Sequence, residues 1–171
     1  MAAARLLQVQ NLNLAKPMVQ MDKVDIIRFG EAGKYCLATD RLNSCHAVAV
    51  VSKKAAILAH IAPHAPEHIR HKFSSADDYI KTMMTTVINC FKENKKYFDN
   101  QGSGGIVVYA MHDGKIVLPD QVKIVAAAIK MIMGLNATPV PYKVLGSKEP
   151  RGPNKGVVLI EGQKSGQLPV V

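Results

Sequence analysis

The chain is 171 residues long, 48% hydrophobic and 20% charged, with a formal net charge of +9. That composition suits a single soluble domain with a sizeable apolar core, and no apolar run approaches the roughly eighteen residues a membrane helix needs. Cysteines at positions 36, 45 and 90 have no metal-type spacing and fit reduced thiols in a reducing, cytoplasmic compartment, with no cofactor called for.

Residues 1–23 contain no acid before Asp22, and residues 6–14 alternate Leu and Val with Gln and Asn. They lack the continuous apolar stretch of a secretory signal and read as an extended arm or first strand. Residues 24–29 alternate as a strand, Gly30 to Gly33 supply a turn, and residues 35–39 form a second strand.

Two apolar runs follow, Val48-Ala49-Val50-Val51 and Ala55-Ala56-Ile57-Leu58, separated by Ser52-Lys53-Lys54. They predict a hairpin. A turn centred between Ser52 and Lys53 sets Cys45 opposite His60, fifteen positions later in the chain. A register shifted by two makes them diagonal neighbours on the same face, whereas a shift of one separates them. A thiol beside an imidazole is the minimal nucleophile–base pair: the ring removes the thiol proton and sulfur attacks an acyl carbon. Thr39 would orient the ring, through its hydroxyl or through its backbone carbonyl. Against this stands the ordinary role of cysteine and histidine as buried structural residues.

Beyond Pro63, His64, His68 and His71 are spaced for one helical face, but Pro66 disfavours a helix there and only Glu67 lies nearby. No metal site is expected, and the loop suits substrate contact better. Ser75 caps a helix whose Ile80, Met83, Met84, Val87, Ile88 and Phe91 recur at three and four; Cys90 belongs to it as an inert thiol. Residues 99–105 form a loop and residues 106–111 a buried strand, with His112 at the following turn. A second helix opens at Pro119-Asp120 with Asp120 as cap, buries Val122, Ile124, Val125, Ala128, Ile129 and Ile132, and ends at Gly134. Residues 138–142, with two prolines, read as an edge segment, residues 147–154 as a basic loop and residues 156–160 as the last strand. The basic clusters lack a reading motif and interleaved aromatics, so no specific nucleic-acid partner is expected.

The string Thr39-x5-Cys45, with Leu42-Asn43-Ser44-Cys45-His46-Ala47-Val48 and then His60-x2-Pro63, resembles the signature of the bacterial chemoreceptor glutamine deamidases, the CheD family. Ala76-Asp77-x-Tyr79-Ile80, Gly104-Gly105, Pro139-Val140-x-Tyr142 and the closing Gly156-Val157-Val158-Leu159-Ile160-x5-Gly166-Gln167-Leu168 extend the resemblance over most of residues 24–171. A similar Cys–His arrangement occurs in the deamidase domains of cytotoxic necrotizing factors. Asn43 stands where the family has glycine, and His46 where it has a small apolar residue. Asn43 tolerates a positive φ. His46 would crowd the site or act as an accessory base, unless its side chain points to the other strand face.

The expected fold is α/β (α+β), with a mixed sheet and two long helices, in one domain over residues 24–171. The resemblance implies a three-layer α/β/β arrangement. It also implies a protein-glutamine deamidase in which Cys45 is the nucleophile, His60 the base and then the acid, and Thr39 the orienter. Backbone amides of the Asn43–Ser44–Cys45 turn would serve as oxyanion donors. The implied partner is a protein bearing a glutamine side chain. The alternatives are a transglutaminase or cysteine protease built on the same pair, and a non-catalytic binding module that keeps the fold.

Overall fold

In the computed structural model, which describes residues 2–98, 102–144, 156–163 and 168–171, the expected hairpin occupies the middle of the larger sheet. Strands β3 (His46–Val51) and β4 (Ala55–Ile61) pair antiparallel, and all thirteen of their residues are buried. Ser52 decides the register. Its hydroxyl accepts the amides of Lys54 at 3.1 Å and Ala55 at 3.0 Å, and donates to the Tyr97 carbonyl at 2.7 Å. A further bond from the Ser52 amide to the Ala55 carbonyl, 2.9 Å, leaves Lys53-Lys54 as the turn. The turn centre therefore falls one residue later than expected, and Ala47 rather than Cys45 faces His60. This moves the register by two, so the parity holds and Cys45 stays on the face of His60.

The larger sheet runs β1 (Lys23–Arg28), β4, β3, β5 (Gly104–His112), with β6 (Lys115–Ile116) and β7 (Ala137–Lys143) both pairing to β5. Only β7 pairs in parallel; helix α3 (Pro119–Met133) lies in the crossover such a pairing needs. Pro139 and Pro141, two residues apart, lose their amides on one side of β7, which stays compatible with pairing because among the described residues no further strand pairs with β7. A second, two-stranded sheet joins β2 (Cys36–Thr39) to β8 (Val158–Glu161).

Alternation along β3 and β4 sorts the core into two sides. Val48, Val50, Ile57, Ala59 and Ile61 pack with α2 (Ala76–Glu93) and α3. Ala47, Ala49, Ala56 and Leu58 instead pack with Leu37, Val158 and Ile160 of the small sheet. The three alanines let the second sheet approach closely. The result is a mixed α/β fold, as expected from the pattern of elements. Ser75 caps α2 by accepting the Asp78 amide at 3.1 Å.

Two expectations are corrected. Residues 1–23 are not an extended arm throughout: Ala2–Asn11 form helix α1, whose Leu6 and Val9 cover Cys36, Ala38 and Leu159 on the outer face of the small sheet. Leu6 and Val9 are three apart, which serves a helix and overrides the local alternation. Beyond it the chain is extended, the Lys16 amide bonding to the Cys36 carbonyl and the Val19 amide to the Ala38 carbonyl. In α3 the cap position is Leu118; Pro119 takes the first helical position, and Asp120 lies in the first turn. The loop at 147–154, the residues Gly166 and Gln167, the start of the 99–105 loop and the side chain of Ile132 lie outside the described residues. Among the described residues no helix is long and apolar enough to cross a membrane.

Ser52→Ala removes the acceptor of two hairpin amides and the donor to Tyr97. It is expected to cost about 1–3 kcal/mol, read as a lower denaturant midpoint with an unchanged slope.

Candidate active site

Three elements converge at one end of the large sheet. The extended segment before β1 brings Met18 to Met21, the loop after β2 brings Asp40, Arg41 and Asn43, and the hairpin brings Cys45 and His60. Together they line a cavity of about 560 Å³. Cys45 immediately precedes β3 and is 6% exposed; His60, near the end of β4, is 4% exposed.

Thr39 is fully buried and its hydroxyl has two partners. It lies 2.7 Å from the Val19 carbonyl and 2.8 Å from His60 Nδ1. A carbonyl only accepts, so the single hydroxyl proton goes to Val19. Thr39 Oγ1 then accepts from His60, which places the ring proton on Nδ1. In the neutral ring Nε2 is left with its lone pair, and that atom is buried without a hydrogen-bond partner among the described residues. Of the two jobs considered for Thr39, the geometry has the hydroxyl in contact with the ring.

The loop that carries Cys45 turns through left-handed conformations at Arg41 (φ +58°) and Ser44 (φ +70°), and not at Asn43. The Asn43 backbone amide favours the ionised form of the Cys45 thiol. Leu42, buried in this loop, abuts Gly156: a Cβ there would collide with the Leu42 carbonyl and amide, and the Leu42 amide bonds to the Gly156 carbonyl at 3.1 Å. Tyr142 of β7 donates its hydroxyl to the Cys45 carbonyl at 2.8 Å. Burial first, and the neighbouring Cys45 second, push the Tyr142 phenol well up, keeping it a neutral donor. Tyr142 stood in the sequence only as part of a motif; its bond to a residue 97 positions away had no local signal.

Burial is the largest influence on both members of the pair, in opposite senses. It pushes the Cys45 thiol up, against the Asn43 amide, with Asp22 adding to the rise. It pushes the His60 imidazole down, against the charges of Asp22 and Asp40. Burial thus disfavours the ionised form of each group, the thiolate and the imidazolium alike.

His46 is not at the site. Its side chain takes the opposite face of β3, toward the helices, where Nε2 lies 3.0 Å from Gln121 Oε1 of α3. Gln121 in turn donates to the Pro63 carbonyl at 2.8 Å. Strand alternation forbids neighbouring residues from sharing a face, so the accessory role is withdrawn. Burial pushes the His46 imidazole down, opposed by Gln121. His64 contacts Arg70 Nη2 at 3.3 Å, His112 is exposed beside Asp113, and among the described residues no group of three or more His, Cys, Asp or Glu is placed to hold a metal ion.

No family model matches the chain, and no curated protein matches it.

Two outcomes follow. Cys36 is sealed, its thiol pushed up to about 11, whereas Cys45 lines the cavity. Brief iodoacetamide treatment with peptide mapping should label Cys45 ahead of Cys36, and His60→Ala should slow Cys45 while leaving Cys90 unchanged. Separately, His46 and His60 are buried neutral with depressed folded values. The unfolded chain then binds more protons below about pH 6.5, so stability present above that pH falls as the pH drops through the folded values. Thermal unfolding between pH 7.5 and 5 should show the loss, and His46→Gln should reduce its slope.

Proposed function

We propose that the protein hydrolyses a side-chain carboxamide, a glutamine in a protein substrate, through a Cys45 thioester. The observation that carries this reading is the fixed tautomer of His60: Thr39 holds Nδ1–H, and an unpartnered Nε2 lone pair shares a cavity with a thiol. The resemblance of the Thr39, Cys45 and His60 spacing to glutamine deamidases supports the choice of amide over other acyl groups.

In the first half-reaction Nε2 accepts the thiol proton as sulfur bonds to the amide carbon. The imidazolium then gives that proton to the departing nitrogen, the C–N bond breaks and ammonia leaves. Water attacks the thioester, its proton passing to Nε2, and the C–S bond breaks as His60 returns a proton to sulfur. The net change is one water consumed, with glutamate and ammonia formed. Arg41 and Asp40 in the cavity lining pair with each other, and it is the net charge of +9 that favours substrates with acidic flanks.

The test is mass spectrometry of glutamine-bearing proteins after incubation: a gain of about one dalton at a single glutamine per substrate, with ammonia released. Cys45→Ala and His60→Ala should abolish it in folded protein. Thr39→Val, which deletes the hydroxyl and frees the ring to take the other tautomer, should lower turnover about a hundredfold. His46→Ala should lower stability more than turnover. Undiminished activity in Cys45→Ala ends the proposal, and no gain on any substrate favours a binding module.

A further inference from the structure

Asp22 is the last residue before β1, in a left-handed conformation with φ +61°. Its amide donates to the His60 carbonyl at 2.7 Å, and its Oδ1 accepts the Ala62 amide at 2.9 Å. On the helical side of the sheet the Tyr79 phenol, 3% exposed in α2, is pushed up by burial first and by Asp22 second. One acid thus clasps the backbone on both sides of Ile61.

We propose that Asp22 is a positioning residue of the site, which holds the end of β4 that carries His60 and supplies the negative charge that favours the imidazolium formed during attack. The proposal rests on the reading of Cys45 and His60 as nucleophile and base. The charged and titratable groups around the pair are Asp22 itself, Lys23 paired with His60 across the strands but exposed, and Asp40 and Arg41 from the loop after β2. Tyr79 from α2 and Tyr142 from β7 complete the set. Asp40 and Arg41 lie 3.7 Å apart and offset one another. Asp22 is the acid whose charge acts on both the thiol and the imidazole, raising each.

That combination suits the chemistry. Before attack a negative neighbour disfavours the thiolate and keeps the proton on sulfur. As the C–S bond forms, the proton moves to Nε2 while negative charge develops on the amide oxygen rather than on sulfur. The imidazolium then lies in the field of Asp22, while sulfur, now bonded to carbon, carries no negative charge to oppose that carboxylate. The interaction is stronger in the transition state than in the resting enzyme, which is the condition for raising turnover. Tyr79, its phenol pushed up by burial and by Asp22, stays neutral and does not cancel the carboxylate's charge.

The experiment uses the full chain with Asp22→Asn, which keeps an oxygen for the Ala62 amide and removes the charge. Two titrations need no substrate: His60 ring shifts by NMR, and the pH dependence of Cys45 alkylation by iodoacetamide. Both midpoints should fall, alkylation at pH 7.5 should rise about threefold, and turnover should drop about tenfold or more with KM little changed. A loosened loop would change the limiting alkylation rate without moving both midpoints. Asp22→Ser tests the same loss of charge with a hydroxyl in place of the amide. Should neither variant fold, the Asp22 carboxyl carbon of the wild-type protein must respond by NMR as the Cys45 thiol ionises. Unmoved midpoints in a folded variant, or a carboxyl signal flat through that titration, overturn the proposal. Shifted midpoints in a protein with no turnover on any amide would remove the deamidase reading and leave the assignment of Asp22 standing.

Discussion

The buried Thr39 hydroxyl ties three pieces of chain together at the site: the Val19 carbonyl in the extended segment, β2 of the small sheet, and His60 of the large one. The two sheets otherwise meet through apolar contacts among Ala47, Ala49, Ala56, Leu58, Leu37, Val158 and Ile160. Apolar contact is non-directional and holds sheets together without setting the orientation of an imidazole. A buried hydroxyl with one proton to give is directional. Because Val19 offers only an acceptor, the tautomer of His60 follows from where the hydroxyl proton goes.

Burial explains why such orientation matters here. Both members of the pair are buried, and burial disfavours the thiolate on one side and the imidazolium on the other. A neutral thiol is a poor nucleophile, so the proposed chemistry depends on a base with a free lone pair, and among the described residues His60 Nε2 has no hydrogen-bond partner. Gly156 behind Leu42 and Tyr142 on the Cys45 carbonyl hold the nucleophile loop from one side, while Asp22 holds the end of β4 from the other. The supports come from opposite ends of the chain.

Much of the scaffold was legible locally. The three-and-four spacing in α2 matches its buried face, with Tyr79 added, and Ser75 caps it. The hairpin was legible as two apolar runs around a polar break, but its turn was not, because Lys-Lys has no conformational preference strong enough to centre it. Ser52 centred it by bonding to the Tyr97 carbonyl, a contact 45 residues distant. The α1 helix was misread because alternation over a few residues fits a strand, whereas its two core contacts, Leu6 and Val9, exist only once the small sheet is there to receive them.

By itself the sequence determined which residue types are available and which share a strand face. The alternation of Cys45, Ala47 and Ala49, and of Ala56, Leu58 and His60, survives any even shift of register, and the observed shift of two keeps thiol and imidazole on one side. The same rule sent His46 to the helices. Only the tertiary structure decided that Thr39 touches the ring through its hydroxyl, that Tyr142 anchors the Cys45 carbonyl, and that Asp22 underlies the pair. Those contacts join positions 20 to 97 residues apart or cross between sheets. Local periodicity carries no information about such distances, which are set by how two sheets and three helices close around a shared core.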